Sequence, residues 1–246
     1  MKRITIYFLI ATILIVLCGC GASQVSNDES LTVAKQIEDL IEMGIPESFI
    51  LNLEEDDVYV MYKELKGMEL GTVKFTETVE DNLQLNMLTV PVCDGMERHA
   101  GDCFRIYGTY QWNNRGITLP SEDEMRVTWD KDILLLGDDS KLTRSYKGNA
   151  DGTQMECYYD ESGFADIGQG KAGWYHPVKA GAGKHVQKGT FGILLMPVHT
   201  YDRVIPVDRA NKKEIKISLE YIVYGLFGSQ QNSCKISAET ELYTTE

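Results

Sequence analysis

The chain has 246 residues and a formal net charge of −13. So acidic a chain is a poor nucleic-acid binder, because neutralising phosphates needs a basic surface. The length suits one large or two small domains, and no CxxC pair is present to suggest a redox site or zinc ribbon.

In chain order, Lys2 and Arg3 precede an almost wholly apolar run from Ile4 to Leu17, broken only by Thr5 and Thr12. A basic start and a short apolar run read as an export signal. The run is too short to span a bilayer comfortably, which takes about 20 residues. Leu17-Cys18-Gly19-Cys20 follows. It resembles the lipobox of bacterial lipoproteins, with Leu at −3, a small residue at −1 and the lipid-bearing cysteine next. Cys18 at −2 departs from the usual Ala or Ser. The resemblance implies cleavage before Cys20 and diacylglyceryl modification of its thiol. Two acyl chains then anchor the protein to the lipid bilayer at the extracytoplasmic face of the cell membrane. Cleavage takes the net charge from −13 to −15, because Lys2 and Arg3 are lost. "GASQVSNDES" is small and polar and reads as a tether. The expected organisation is a signal peptide over 1–19, a flexible tether over 20–30, a helical region over 31–67 and a β-domain over 68–246.

The spacing of Leu31, Ala34, Ile37, Leu40 and Ile41 predicts a helix that Gly44 and Pro46 stop. Pro46 can open a short second turn, "PESFIL". A further helix is expected after Asn52 as N-cap, with Glu55 at N3. Acids fill its first turn and Lys63 and Lys66 its last, matching the helix dipole. Its apolar stripe is Val58, Met61, Tyr62 and Leu65, and Gly67 ends it.

Beyond Gly67 the pattern changes to period-2 alternation. Phe104, Ile106, Tyr110 and Trp112 share a face. Ile215, Ile217, Leu219, Tyr221 and Val223 share another, with Lys216, Ser218 and Glu220 opposite. "TFGILLMPVHTY" is a continuous apolar run suited to a central strand. Asn113–Gly116 and Asn149–Gly152 carry turn chemistry. Short strands between turn signals predict a mainly β chain, an antiparallel β-sandwich with a short helical N-terminal region. "GIPESFILNL", "MYKEL", Tyr110-x-Trp112, "VTWDKD" and "GWY" together resemble uncharacterised secreted β-proteins of Gram-positive bacteria. That resemblance implies no particular activity.

Several apparent motifs do not survive inspection. "GQGKAG" at 168–173 satisfies GxGxxG, but "WYHP" follows it and cannot open the helix that holds a pyrophosphate. "GAGKH" at 181–185 lacks the first glycine and final Ser/Thr of a P-loop. HExxH, GxSxG and calcium-loop patterns are missing. No cofactor, metal site or catalytic residue is assigned. The acids at Glu54–Asp57 read as a helix start, and those at Glu122–Glu124 as a solvated loop.

Four cysteines follow Cys20: Cys93, Cys103, Cys157 and Cys234. Outside the cytoplasm they can form two disulfides, Cys93–Cys103 across a polar loop and then Cys157–Cys234, or remain four buried thiols. Of the histidines, His99 stands apart, while His176, His185 and His199 lie nine and fourteen residues apart, a loose spacing for a metal. From Ile167 to Thr190 the chain has no acid. Lys171, Trp174, Tyr175, His176, Lys179, Lys184 and His185 make this a basic, aromatic segment that reads as a long loop, and long loops in compact domains are often functional. Cations with aromatics suit an anionic or carbohydrate envelope ligand, or a protein partner. Alternatively, Trp174 simply plugs the sandwich.

Three functions follow. The favoured one is a non-catalytic binding module for an envelope component or protein partner. The second is an extracytoplasmic hydrolase acting on glycan or peptide, with Asp160, Glu161 or Asp166 near His176. The third is an assembly role in which the stripe Val58, Met61, Tyr62 and Leu65 docks a partner.

Overall fold

The computed structural model describes residues 27–93, 103–113, 121–137, 142–149, 153–160, 166–168, 170–178, 185–198, 211–224 and 230–244. Among the described residues three helices precede the strands: α1 (Asn27–Glu42), α2 (Glu47–Ile50) and α3 (Glu55–Leu65). Thirteen strands are described after them. The first six are β1 (Glu69–Leu70), β2 (Lys74–Glu80), β3 (Leu83–Cys93), β4 (Cys103–Asn113), β5 (Ser121–Thr128) and β6 (Leu134–Leu136). The rest are β7 (Leu142–Asn149), β8 (Glu156–Asp160), β9 (Asp166–Gly168), β10 (Lys171–Val178), β11 (His185–Pro197), β12 (Asn211–Tyr224) and β13 (Gln230–Thr244). Residues from Gln36 onward form one compact unit.

The strands make two antiparallel sheets. An eight-stranded sheet runs β1-β3-β4-β11-β7-β8, with β2 also on β3 and β6 also on β11. A five-stranded sheet runs β13-β12-β5-β10-β9. Between them lies a core in which Leu85, Met87, Phe104, Ile106, Phe191 and Ile193 meet Val127, Trp174, Ile217, Leu219 and Tyr221. The intervening residues of the same large sheet build a second core. Leu88, Val90, Val92, Cys103 and Tyr107 pack with Leu40, Phe49, Val58, Met61 and Leu65. The central strands β3, β4 and β11 of the eight-stranded sheet are thus buried on both faces, which is why "TFGILLMP" in β11 reads as a continuous apolar run rather than a clean alternation.

The helix assignments hold with shifts at the ends. Gly44 and Gly67 take positive φ, 93° and 81°, in the left-handed conformation that closes a helix. The N-cap of α3 is Glu54 rather than Asn52, whose side-chain amide instead donates to the Ser48 carbonyl at 2.8 Å. The stripe expected to dock a partner is already used: Val58, Met61 and Leu65 are buried in the second core, with Tyr62 packed against it. Polar clamps fix this layer to the sheet. Tyr107 donates its hydroxyl to Glu64 at 2.7 Å. Tyr146 donates to Asp57 at 3.0 Å, and Arg144 pairs with the same carboxylate at 3.3 Å. Lys188 pairs with Glu54. Asp57 is not merely a solvated first-turn acid. It is fully buried, and burial raises its pKa against the opposing pull of Thr190, Tyr146 and Arg144.

The favoured Cys157–Cys234 disulfide is not formed, and both residues carry free thiols. The Cys93 side chain lies outside what the structure describes. The register sets Val92 across from Cys103, while Cys93 faces Glu69. Cys157 and Cys234 sit on different sheets. The lipobox and Cys20 lie outside the described residues.

Candidate functional site

The segment read as a long loop is largely strand. Its described parts are β9, β10 and the start of β11. Along β10, Ala172, Trp174, His176 and Val178 are buried, while Lys171, Tyr175 and Pro177 keep exposure. One strand therefore divides the expected patch between two faces of a sheet. Trp174 plugs the sandwich, with its ring centroid 4.8 Å from that of Phe191. His185 opens β11, buried and opposite Asn149, on the other sheet. Lys179, Lys184, His99 and His199 lie outside the described residues. Among the described residues, no three His, Cys, Asp or Glu side chains form a metal-holding group.

On the inner face the register sets His176 opposite Asp123 of β5. Tyr221 donates its hydroxyl to Asp123 at 2.6 Å and lies 3.4 Å from His176 Nε2. Tyr110 stacks on the imidazole at a centroid distance of 5.1 Å, and its hydroxyl shares a hydrogen bond with Ser145 at 2.8 Å. Burial, then Tyr158 nearby, raises the Tyr110 pKa far above the usual phenol range. Tyr110 reaches this position by a reciprocal arrangement of β4 and β11. Gly108 faces Phe191, and Tyr110 faces Gly189, so each aromatic ring lies over a glycine of the neighbouring strand. A Cβ at Gly189 would sit 2.3 Å from the Tyr110 ring. The acid, hydroxyl and imidazole form a hydrogen-bonded core network, with His176 only 1 % exposed. Of the acids expected beside His176, Asp160 is engaged elsewhere. Asp160 is on the eight-stranded sheet and pairs with Arg144 at 3.3 Å, Asp166 faces Gly173, and Glu161 is outside the described residues.

The outer face of the five-stranded sheet is organised differently. Glu124, opposite Tyr175, is fully buried despite lying on this face. Arg126 grips it through two donors, Nε to Oε1 and Nη2 to Oε2, each at 2.8 Å. Tyr224 donates its hydroxyl to Glu124 Oε2 at 2.6 Å. Burial, then this bond to Glu124, pushes the Tyr224 pKa well up. The Tyr175 and Tyr224 rings lie side by side, their centroids 6.1 Å apart and planes tilted by 46°. Gly173 makes the arrangement possible, because a Cβ there would meet Glu124 Oε1 at 3.0 Å. Burial pulls the Arg126 pKa down, and Glu124 followed by Glu220 more than restores it. Its Nη1 stands 4.0 Å from Glu220. Of these residues, Gly173 and Tyr175 lie in the acid-free segment from Ile167 to Thr190. The run "SEDEMRVT" hid Glu124 and Arg126, since three consecutive acids mask the alternation of Met125 and Val127.

No family model matches the chain, and no curated protein sequence matches it. Among the distantly similar solved structures are the following two. One is the collagen-binding domain of a Staphylococcus aureus adhesin, at 8 % identity and a TM-score of 0.31, covering 70 % of this chain and 97 % of that one. The other is a pore-forming protein, at 10 % identity and a TM-score of 0.28, covering 72 % of this chain and 94 % of that one.

Proposed function

We propose that the chain is a membrane-anchored extracytoplasmic lipoprotein acting as a non-catalytic binding module for an envelope component or protein partner. The observation that carries this reading is the unequal use of the two sheets. The central strands of the eight-stranded sheet spend both faces on packing, whereas the outer face of the five-stranded sheet holds a cluster of hydrogen-bonded polar groups beside two aromatic rings. The lipobox-like Leu17-Cys18-Gly19-Cys20 and the polar stretch after it supply the anchor and tether. The hydrolase alternative draws its best support from Asp123, Tyr221 and His176, but these side chains are buried in the core and offer a substrate no approach.

Fractionation of cells expressing wild type and Cys20→Ala tests the anchor. Wild type is expected in the membrane pellet, extracted by detergent, and Cys20→Ala in the soluble extracytoplasmic fraction. Equal membrane retention of the two defeats the lipoprotein reading. Hydrolysis of peptidoglycan or peptide by the purified chain, abolished by His176→Gln, would replace the binding reading with the enzymatic one.

A further inference from the structure

We propose that the outer face of the five-stranded sheet, around Tyr175 and Tyr224, binds an uncharged hexopyranose unit of an envelope glycan. This rests on the binding-module reading and names its site and ligand class.

The argument starts from rigidity. Glu124 is fully buried, held by two guanidinium bonds and one phenol bond. Those bonds fix Arg126 and Tyr224, and the Tyr175 ring packs beside Tyr224 at 6.1 Å between centroids. A phenol held as Tyr224 is loses little side-chain entropy when a ligand arrives. Tyr175 is nevertheless 37 % exposed, among the larger exposed apolar side chains of the described residues. The Tyr224 ring stands beside it, tilted by 46°, and an aromatic face is the natural partner of the C–H face of a sugar ring.

The polar groups beside the two tyrosines select the ligand. Arg126 spends Nε and Nη2 on Glu124, which leaves Nη1 facing Glu220 at 4.0 Å. That separation is too long for a hydrogen bond, so the pair offers a donor and an acceptor side by side. A vicinal diol satisfies both, one hydroxyl accepting from Nη1 and the next donating to the carboxylate. An anion fits poorly. It would meet one guanidinium already flanked by two carboxylates, on a chain of net charge −13.

The test uses the full chain in detergent micelles on an array of neutral and carboxylated oligosaccharides, followed by calorimetric titration of the strongest neutral binder. Wild type is expected to bind neutral glycans in preference to carboxylated ones. Tyr175→Ala should weaken the titrated affinity about tenfold or more, Tyr175→Phe should stay within about threefold, and Arg126→Lys should weaken it about fivefold or more. Unchanged melting of Tyr175→Ala excludes a folding defect, since that side chain is partly exposed. Binding that survives Tyr175→Ala and Arg126→Lys overturns the site while leaving the module reading intact. Preference for carboxylated glycans overturns the ligand class. Silence across the array, with retained pull-down on purified sacculi, overturns the glycan assignment at this face. Silence on both overturns it together with the envelope-component reading.

Discussion

Gly108→Ala is a small change with a large expected cost. A Cβ at this position would lie 1.6 and 2.0 Å from two ring carbons of Phe191. Nothing stacks so closely, so the ring must move. Phe191 is 1 % exposed and wedged against Trp174, so it has nowhere unfilled to go. Overpacking a filled core costs about 1–3 kcal/mol. Losing the phenylalanine packing altogether costs about 3–5 kcal/mol. A value near 3 kcal/mol is expected, against the stabilisation of roughly 0.4–1 kcal/mol that Gly→Ala gives where the site tolerates it. For a chain this size that lowers Tm by about 6–12 °C. Urea denaturation of Gly108→Ala, Phe191→Ala and the double variant isolates the cause. The double variant should be no less stable than Phe191→Ala, a coupling of about 2–3 kcal/mol. Additivity within about 0.5 kcal/mol, or a Gly108→Ala variant as stable as wild type, refutes the reasoning.

Asp57 makes a pH prediction. Its folded pKa stands above the ordinary 3.8, so the folded chain holds this proton more tightly than the unfolded one. The residue's contribution to stability therefore rises as pH falls through the folded pKa and levels off below the unfolded value. Asp57→Asn should be more stable than wild type at neutral pH, with the gap closing toward pH 4 in urea titrations; a gap that widens on acidification contradicts this. Trp174→Ala should cost about 3–5 kcal/mol, whereas Tyr175→Ala, one residue on, should cost about 1 kcal/mol or less by thermal melting. Reversal of that order would mean β10 is turned over. Alkylation of the native protein, read by peptide mass spectrometry, should mark exposed Cys157 before buried Cys103 and Cys234, the last with its pKa pushed up to about 11 by burial and then Glu80. A Cys157 as slow as the other two contradicts the placement of β8.

The helical region was legible because its signals are local: Leu40 and the Val58, Met61, Leu65 stripe recur at helical spacing, and Gly44 and Gly67 mark the stops. The faces of β4 and β12 were equally plain, since Phe104, Ile106 and Tyr110, and Ile215 through Tyr221, alternate without interruption. The stretch around Trp174 was misread for a physical reason. Gly173 looks like a loop residue, yet its missing side chain is what lets the Glu124 carboxylate lie against the strand. Pro177 also looks like a breaker. Among the described residues, β9 pairs β10 only from Lys171 to Gly173, so Pro177 has strand β5 on one side alone and breaks no second ladder there. The Glu124–Arg126–Tyr224 cluster joins residues far apart in the chain, and only the register of β5, β10 and β12 brings them together.

The place of β11 in the large sheet bears on how the chain is made. It is hydrogen-bonded to β4 along one edge and to β7 and β6 along the other. Until residues 185–197 emerge, β4 and β7 are two unfinished edges with no common partner, and the cores on both sides of the sheet stay open. Folding is therefore expected to wait for this late keystone and then to finish in one slow, cooperative step, as pairings distant in sequence require. A chain cut short before His185 would keep those edges bare and should aggregate under conditions in which the full chain folds.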